Sequence, residues 1–236
     1  GSLNPDKLTP SPPVEPASTE KTLSGGMQID HLFILGDFFD FWFSRGDAVY
    51  PEYRPIIACL KDLAHRGVMI HLTEGNHDFF LGDYFEKGLG FDVIREWGEW
   101  RDEDGCVLFS HGDTVDRGNR KYLLLRKFLR SGFVFRLQRI LSLRLLWKIA
   151  GCFSGVSKQW SRQHAEVLAE KMHRFMRGKL DEGYDVVILG HAHHPRIREW
   201  VKPEGVGTSV TLGDWIEDRS YLYYVDGRMQ LRSQNP

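Results

Sequence analysis

The sequence predicts a mixed α/β fold, and three observations carry the prediction. Four short apolar runs each stop at Gly, Asn, Asp or His: LFILGDFFD, IHLTEGNHD, VLFSHGD and VVILGHAHHP. A mostly apolar run bounded by glycine is the mark of a buried strand. Between the first two runs, Pro55 to Arg66 sets Ile56, Ile57, Leu60 and Leu63 on one helical face, with Pro at the start and Gly67 after the end, which makes a strand, helix, strand unit. Near the C-terminus TSVTLGDW and RSYLYYVDGRMQLRS alternate, with Asp226-Gly227 as a tight hairpin turn, so this part reads as antiparallel.

The remaining elements follow in order. Gly1-Ser2 reads as a cloning scar, and residues 1–29, rich in Pro, Ser and Thr with almost no apolar period, read as a flexible tail ahead of a domain spanning 30–236. A chain of 236 residues, 42% hydrophobic and 27% charged, has room for one sizeable domain with an insertion. From Arg117 to Ala165 there are twelve Lys or Arg and no Asp or Glu, so the near-zero net charge hides a strongly basic block inside an acidic chain. That block is also greasy, with Leu125, Phe128, Leu129, Leu137, Ile140, Leu141 and Leu145 at helical spacing between the basic residues. It reads as helices broken near Ser131-Gly132 and Gly151, inserted as a cap over about residues 117–177. Residues 162–180 read as a polar helix leading into the strand VVILG.

Three uses of the cap stand open. Its apolar face could pack on the core with the charges solvated; it could meet an anionic membrane, for which Leu, Phe and Trp flanked by basic residues are suited; or it could bind nucleic acid. The last fits least, because no strand platform for stacking bases is visible and no nucleic-acid partner is expected. The three cysteines are widely spaced and read as free thiols of a reducing compartment. No run reaches the roughly 18 apolar residues of a membrane span, so a cytoplasmic location is expected.

The strand ends carry the chemistry. Ligands bind at the carboxyl edge of such strands, which brings Asp37, Asn76, His111, His191 and His193 to one crevice. Each has a plainer reading: Asp37 as a helix N-cap, Asn76 in a left-handed turn, the histidines as core residues. Their concentration at strand ends favours metal ligation. Carboxylate, amide and imidazole donors suit Mn²⁺, Fe or Zn²⁺, and a two-cation centre of this kind activates water for attack on phosphorus. Asp40 and Asp113 read either as partners that orient the ligating imidazoles or simply as turn residues. His77, backed by Asp78, is placed to stabilise charge on a phosphoryl group.

In order, the blocks Gly36-Asp37-Phe38-Phe39-Asp40, Gly75-Asn76-His77-Asp78, His111-Gly112-Asp113 and Gly190-His191-Ala192-His193 resemble the calcineurin-like metallophosphoesterases. The resemblance runs from about Asp30 to Gly227 and implies two facing sheets flanked by helices, with two divalent ions, Mn²⁺ foremost. The family's first block, D-x-H, has no counterpart: residues 1–29 lack it, and Asp30-His31 has the wrong spacing. The expectation is therefore that the chain begins just after that block, that one metal position is incomplete, and that hydrolysis is weak. The sheet should then show a gap, a substitute strand or an exchanged segment.

Within that superfamily, GDFFDFW, the Tyr122 that follows HGD, the basic helical insertion ending in Ser157 to Arg162, and the late LGDW resemble the UDP-2,3-diacylglucosamine hydrolases of lipid A synthesis. That resemblance implies cleavage of a pyrophosphate to UMP and 2,3-diacylglucosamine 1-phosphate at the cytoplasmic face of a bacterial inner membrane. It implies Asp37, Asn76 and His77 as catalytic residues, with Asn76, His77, Tyr122, Ser157 and Arg162 as substrate contacts. A phosphoesterase for soluble nucleotides or nucleic acid, and a non-catalytic scaffold on the same fold, are the alternatives.

Overall fold

A computed structural model of the chain describes residues 29–151, 165–203, 205–216, 218–225 and 227–234. Its first sheet holds β1 (His31–Leu35), β2 (Met69–Thr73) and β3 (Asp92–Ile94), all parallel, in that order. Helix α1 (Arg54–His65) follows a single 3-10 turn at Pro51–Tyr53 and packs Ile57 and Leu60 inward, as its apolar spacing predicts. Short α2 (Glu86–Leu89) ends at Gly90, whose φ of 71° lets the chain turn back into β3. Phe39, Trp42, Leu72, Leu81, Phe85 and Val93 fill the core around this sheet.

The second sheet is mixed, in the order β4 (Trp97–Asp102), β5 (Gly105–Ser110), β6 (Val186–Leu189), β8 (Gly205–Thr211), β7 (Arg196–Lys202). Central β5, β6 and β8 run parallel, while β4 and β7 pair antiparallel at the two edges. Across the layers, Phe33 meets Phe109 and Trp100 at ring centroids 5.1 and 5.7 Å apart. The expected two-sheet arrangement is thus present. The hairpin of β9 (Ser220–Val225) and β10 (Arg228–Ser233) forms a separate two-stranded sheet, antiparallel as expected. Among the described residues β1 pairs with β2 alone.

Three cap helices follow β5: α3 (Arg120–Leu129), α4 (Gly132–Ile140) and α5 (143–151). Asn119 and Ser131 cap the first two through side-chain oxygens that accept from Tyr122 N–H and Val134 N–H. The break near Ser131-Gly132 falls as expected, and Leu141-Ser142 adds a second. Exposed Arg45, on the loop after the first motif, donates to the Gln138, Arg139 and Leu141 carbonyls, satisfying the C-terminal end of α4.

Helix α6 (Ala165–Asp181) belongs with the second sheet, not with the cap expected to run to about residue 177. Ala169, Met172, His173 and Met176 are fully buried there, and the helix packs on β6 and β8. Its amphipathic period is that of a core helix. Ser157 and Arg162 lie outside the described residues, as does the tail 1–28. Cys59 and Cys106 are free thiols. Among the described residues no helix is long and apolar enough to cross a membrane.

Candidate metal centre

Each strand end delivers one donor to the same place. Asp37 follows β1, Asn76 follows β2, His111 follows β5 and His191 follows β6, so two come from each sheet. The ligand atoms of Asp37, His111 and His191 lie within 4.8 Å of one another. Asn76 Oδ1 is 3.0 Å from His111 Nε2, which puts the amide oxygen against the same cluster. No helix follows Asp37, so the N-cap reading is set aside. Asn76 is not among the residues with positive φ, so the left-handed reading fails as well.

Backbone strain marks the site. Asp37, His191 and His193 have φ of 52°, 59° and 48°, a region that costs a non-glycine residue about 1–3 kcal/mol. Glycines make the close approach possible. A Cβ on Gly75 would stand 2.3 Å from both the N and Oδ1 of Asp37, and one on Gly36 would stand 2.6 Å from His111 Nδ1. These contacts explain why the first two motifs begin with glycine.

The electrostatics suit a cation. His111 Nδ1 donates to the Leu35 carbonyl at 2.8 Å, which fixes the ring and turns Nε2 toward Asp37 and Asn76. Burial alone would lower the His111 pKa, but the Asp37 carboxylate outweighs it and pushes the imidazole up to about 9. Burial likewise opposes ionisation of Asp37, yet the His111 charge holds its carboxyl well below the usual range. His191 is driven down to about 4, first by burial and then by His111, so its imidazole stays neutral and its ring nitrogens free for a metal. Asp37 therefore gathers positive charge to itself, and the donor set fits a divalent transition metal.

His193 stands apart from this cluster. Its Nδ1 is 3.5 Å from Asp214 of the LGDW segment, and it is 36% exposed. Half-buried His77 donates its backbone N–H to Asp37 Oδ1 at 2.9 Å. Tyr122 tilts over His191 with centroids 6.5 Å apart and gives its hydroxyl proton to Asp113 at 2.7 Å.

Two expectations need correcting. Asp78 does not simply back His77: its carboxylate accepts from the N–H groups of Asp37, Phe38, Phe39 and Gly75, stitching the first two motif loops together. Asp113 turns to the cap, accepting from Tyr122 and from Arg126 Nε at 2.5 Å. Sequence reasoning also missed Glu74, Arg126 and Arg130. The signals were there: Glu74 is an acid at the end of an apolar strand and needs a buried partner, while Tyr122, Arg126 and Arg130 recur every fourth residue along α3 and its C-cap.

A family model for the calcineurin-like phosphoesterases matches residues 17–195, and the chain belongs to that family. It is a metal-dependent phosphoesterase on this footing and on the donor set above. Among curated proteins it is similar to the UDP-2,3-diacylglucosamine hydrolase of Pseudomonas fluorescens strain Pf0-1, with 32% identity over 78% of this chain and 74% of that protein. The hydrolases of the same name from Azotobacter vinelandii and Haemophilus influenzae strain PittGG are 31% and 30% identical, over 85% and 84% of this chain and 83% and 82% of theirs.

Proposed function

We propose that this chain hydrolyses the pyrophosphate bond of UDP-2,3-diacylglucosamine, releasing UMP and 2,3-diacylglucosamine 1-phosphate. The observation that carries this reading is a cavity of about 310 Å³ between cap and core, lined by Trp42, Phe43, Phe80, Phe135, Leu143 and Leu146 among others. Phe80 lines the cavity from three residues beyond His77, on the same stretch of chain that carries the second motif. Arg45 and Arg139 also line the cavity, giving it cations as well as grease.

Asp37, Asn76, His111 and His191 would hold the metal, with Mn²⁺ foremost, and His193 would serve a second ion. When bound, such ions polarise phosphoryl oxygens and lower the pKa of a bound water. His77 and Asn76 border the phosphoryl position; His77 stabilises the charge that develops there. Tyr122 offers its ring face, because its hydroxyl is committed to Asp113. Ser157 and Arg162 complete the proposed substrate contacts.

The cap supports a membrane role for the chain. Leu124, Phe128, Phe133 and Ile140 are exposed, alongside exposed Lys121, Lys127, Arg136 and Arg144. An outward apolar face ringed by cations suits the anionic cytoplasmic leaflet of the inner membrane, where such a lipid substrate resides. The test is UMP release from UDP-2,3-diacylglucosamine in detergent, compared with a UDP-sugar lacking acyl chains. Preference for the diacylated substrate is expected. Equal turnover of the two, or turnover of soluble diesters alone, overturns the reading in favour of a soluble-nucleotide enzyme.

A further inference from the structure

The inner face of α3 holds the two loops that carry Asn76 and His111. Tyr122 and Arg126 of α3 and Arg130 at its C-cap sit four residues apart, which sets them along one side of the helix. Arg130 donates to the Gly75 carbonyl at 2.7 Å and to Glu74 Oε2 at 3.0 Å, and its guanidinium lies 5.3 Å from the centre of the Phe79 ring. It thus grips the chain on both sides of Asn76 and His77. Arg126 binds Asp113, two residues past His111, and reaches Glu96 at 3.0 Å. Tyr122 adds a second hydrogen bond to the same Asp113 oxygen.

These contacts are buried. The side chains of Arg126 and Asp113 are 13% and 3% exposed, and those of Arg130 and Glu74 are 12% and 5% exposed. Two guanidinium groups desolvated against two carboxylates are a poor way to gain stability alone, since an apolar pair of the same volume does as well. What the arrangement does supply is fixed geometry, through a forked donor that holds a backbone carbonyl and a carboxylate together. The opposite face of the same helix carries Leu124, Leu125 and Phe128, at 71%, 54% and 55% exposure.

We propose that Arg126 and Arg130 are positioning residues that couple the cap to the metal centre, so that seating of α3 and divalent-metal affinity form one linked equilibrium. Linkage is reciprocal: whatever fixes α3 tightens metal binding, and metal binding must fix α3 by the same factor. The inference rests on the metal centre of the family and is independent of the substrate's identity.

The experiment uses the full chain and Mn²⁺ alone. Calorimetry is expected to show roughly tenfold weaker Mn²⁺ binding for Arg126→Gln and for Arg130→Gln, the range seen when groups behind metal ligands are removed. Arg130→Lys should recover part of that loss, and Arg136→Gln, on the solvent side of α4, should bind as the parent does. Amide exchange of the parent supplies the reciprocal readout: Mn²⁺ is expected to slow exchange across residues 120–129. Unchanged affinity in folded Gln variants overturns the proposal. Should those variants not fold, the exchange measurement decides, and α3 exchange that is the same with and without Mn²⁺ overturns it.

Discussion

Asp78 shows how much of this site is made by residues that touch no ligand. It is fully buried, and its four backbone donors hold the turn after β1 against the turn after β2. Burial and then the neighbouring Asp37 carboxylate push its pKa up to about 7. His173 plays a similar part on the other side. It is buried in α6, with Nδ1 2.7 Å from the Ser209 hydroxyl and Nε2 3.4 Å from that of Thr211, which in turn donates to the His194 carbonyl beside the last motif. Burial, followed by Arg198 and Arg196, drives its pKa down to about 3. The unfolded chain therefore takes up a proton below about pH 6.5 that the folded chain refuses, and stability falls with falling pH through that window. At about 1.4 kcal/mol per pH unit, roughly 2 kcal/mol should be lost between pH 6.5 and 5 through this residue. Urea midpoints at the two pH values should show a smaller drop for His173→Gln than for the parent. Equal drops would mean that His173 titrates normally.

At the level of elements, the strands and α1 were legible because a single period determined each. Apolar runs ending at glycine became β1, β2, β5 and β6, and the Pro55–Arg66 pattern became α1 to within a residue at either end. The cap was legible as helices but not as surfaces. Spacing shows that two faces exist, and polarity suggests that the apolar one turns inward. In α3 the reverse holds: Arg126 and Arg130 face the core because Asp113 and Glu74 wait there, and Leu124 and Phe128 face out. The four-residue spacing of Tyr122, Arg126 and Arg130 marks a face, but which way it turns depends on Asp113 and on Glu74, which lies 56 residues away. The same remoteness hid where the 162–180 helix packs, which depends on β8, and the Asp78 bonds to the turn after β1, which span some forty residues. The inversion also sharpens the membrane expectation. Arg136, Arg139 and Arg144 are exposed on α4 and α5, and each cation near an anionic surface contributes about 1 kcal/mol. Replacing all three by Glu should release the protein from vesicles containing anionic lipid while leaving it bound to none of the neutral ones. Sedimentation with such vesicles measures this, and retention of the triple variant would make the cap a lid only.

Over the whole molecule, the metal centre is where two cores meet. One core surrounds the first sheet and the other lies between α6 and the second sheet. Asp37 and Asn76 belong to the first half, His111 and His191 to the second. A cation held by all four, as proposed, would bridge the sheets alongside the Phe33–Phe109 contact and the His111 bond to the Leu35 carbonyl. Because an unfolded chain cannot present these four donors together, metal binding adds to the stability of the whole fold. At a hundredfold excess over the dissociation constant the gain is about 2.7 kcal/mol, and about 2–4 °C per kcal/mol is expected for a chain of this size. Mn²⁺ should therefore raise the melting temperature by roughly 5–10 °C, in one transition rather than two, since both halves supply ligands. Asn76→Ala and His111→Ala, one from each sheet, should each abolish the rise and lower the metal content found by elemental analysis. If either variant keeps both the metal and the full shift, the metal is held within one half of the molecule and the four-donor centre is wrong.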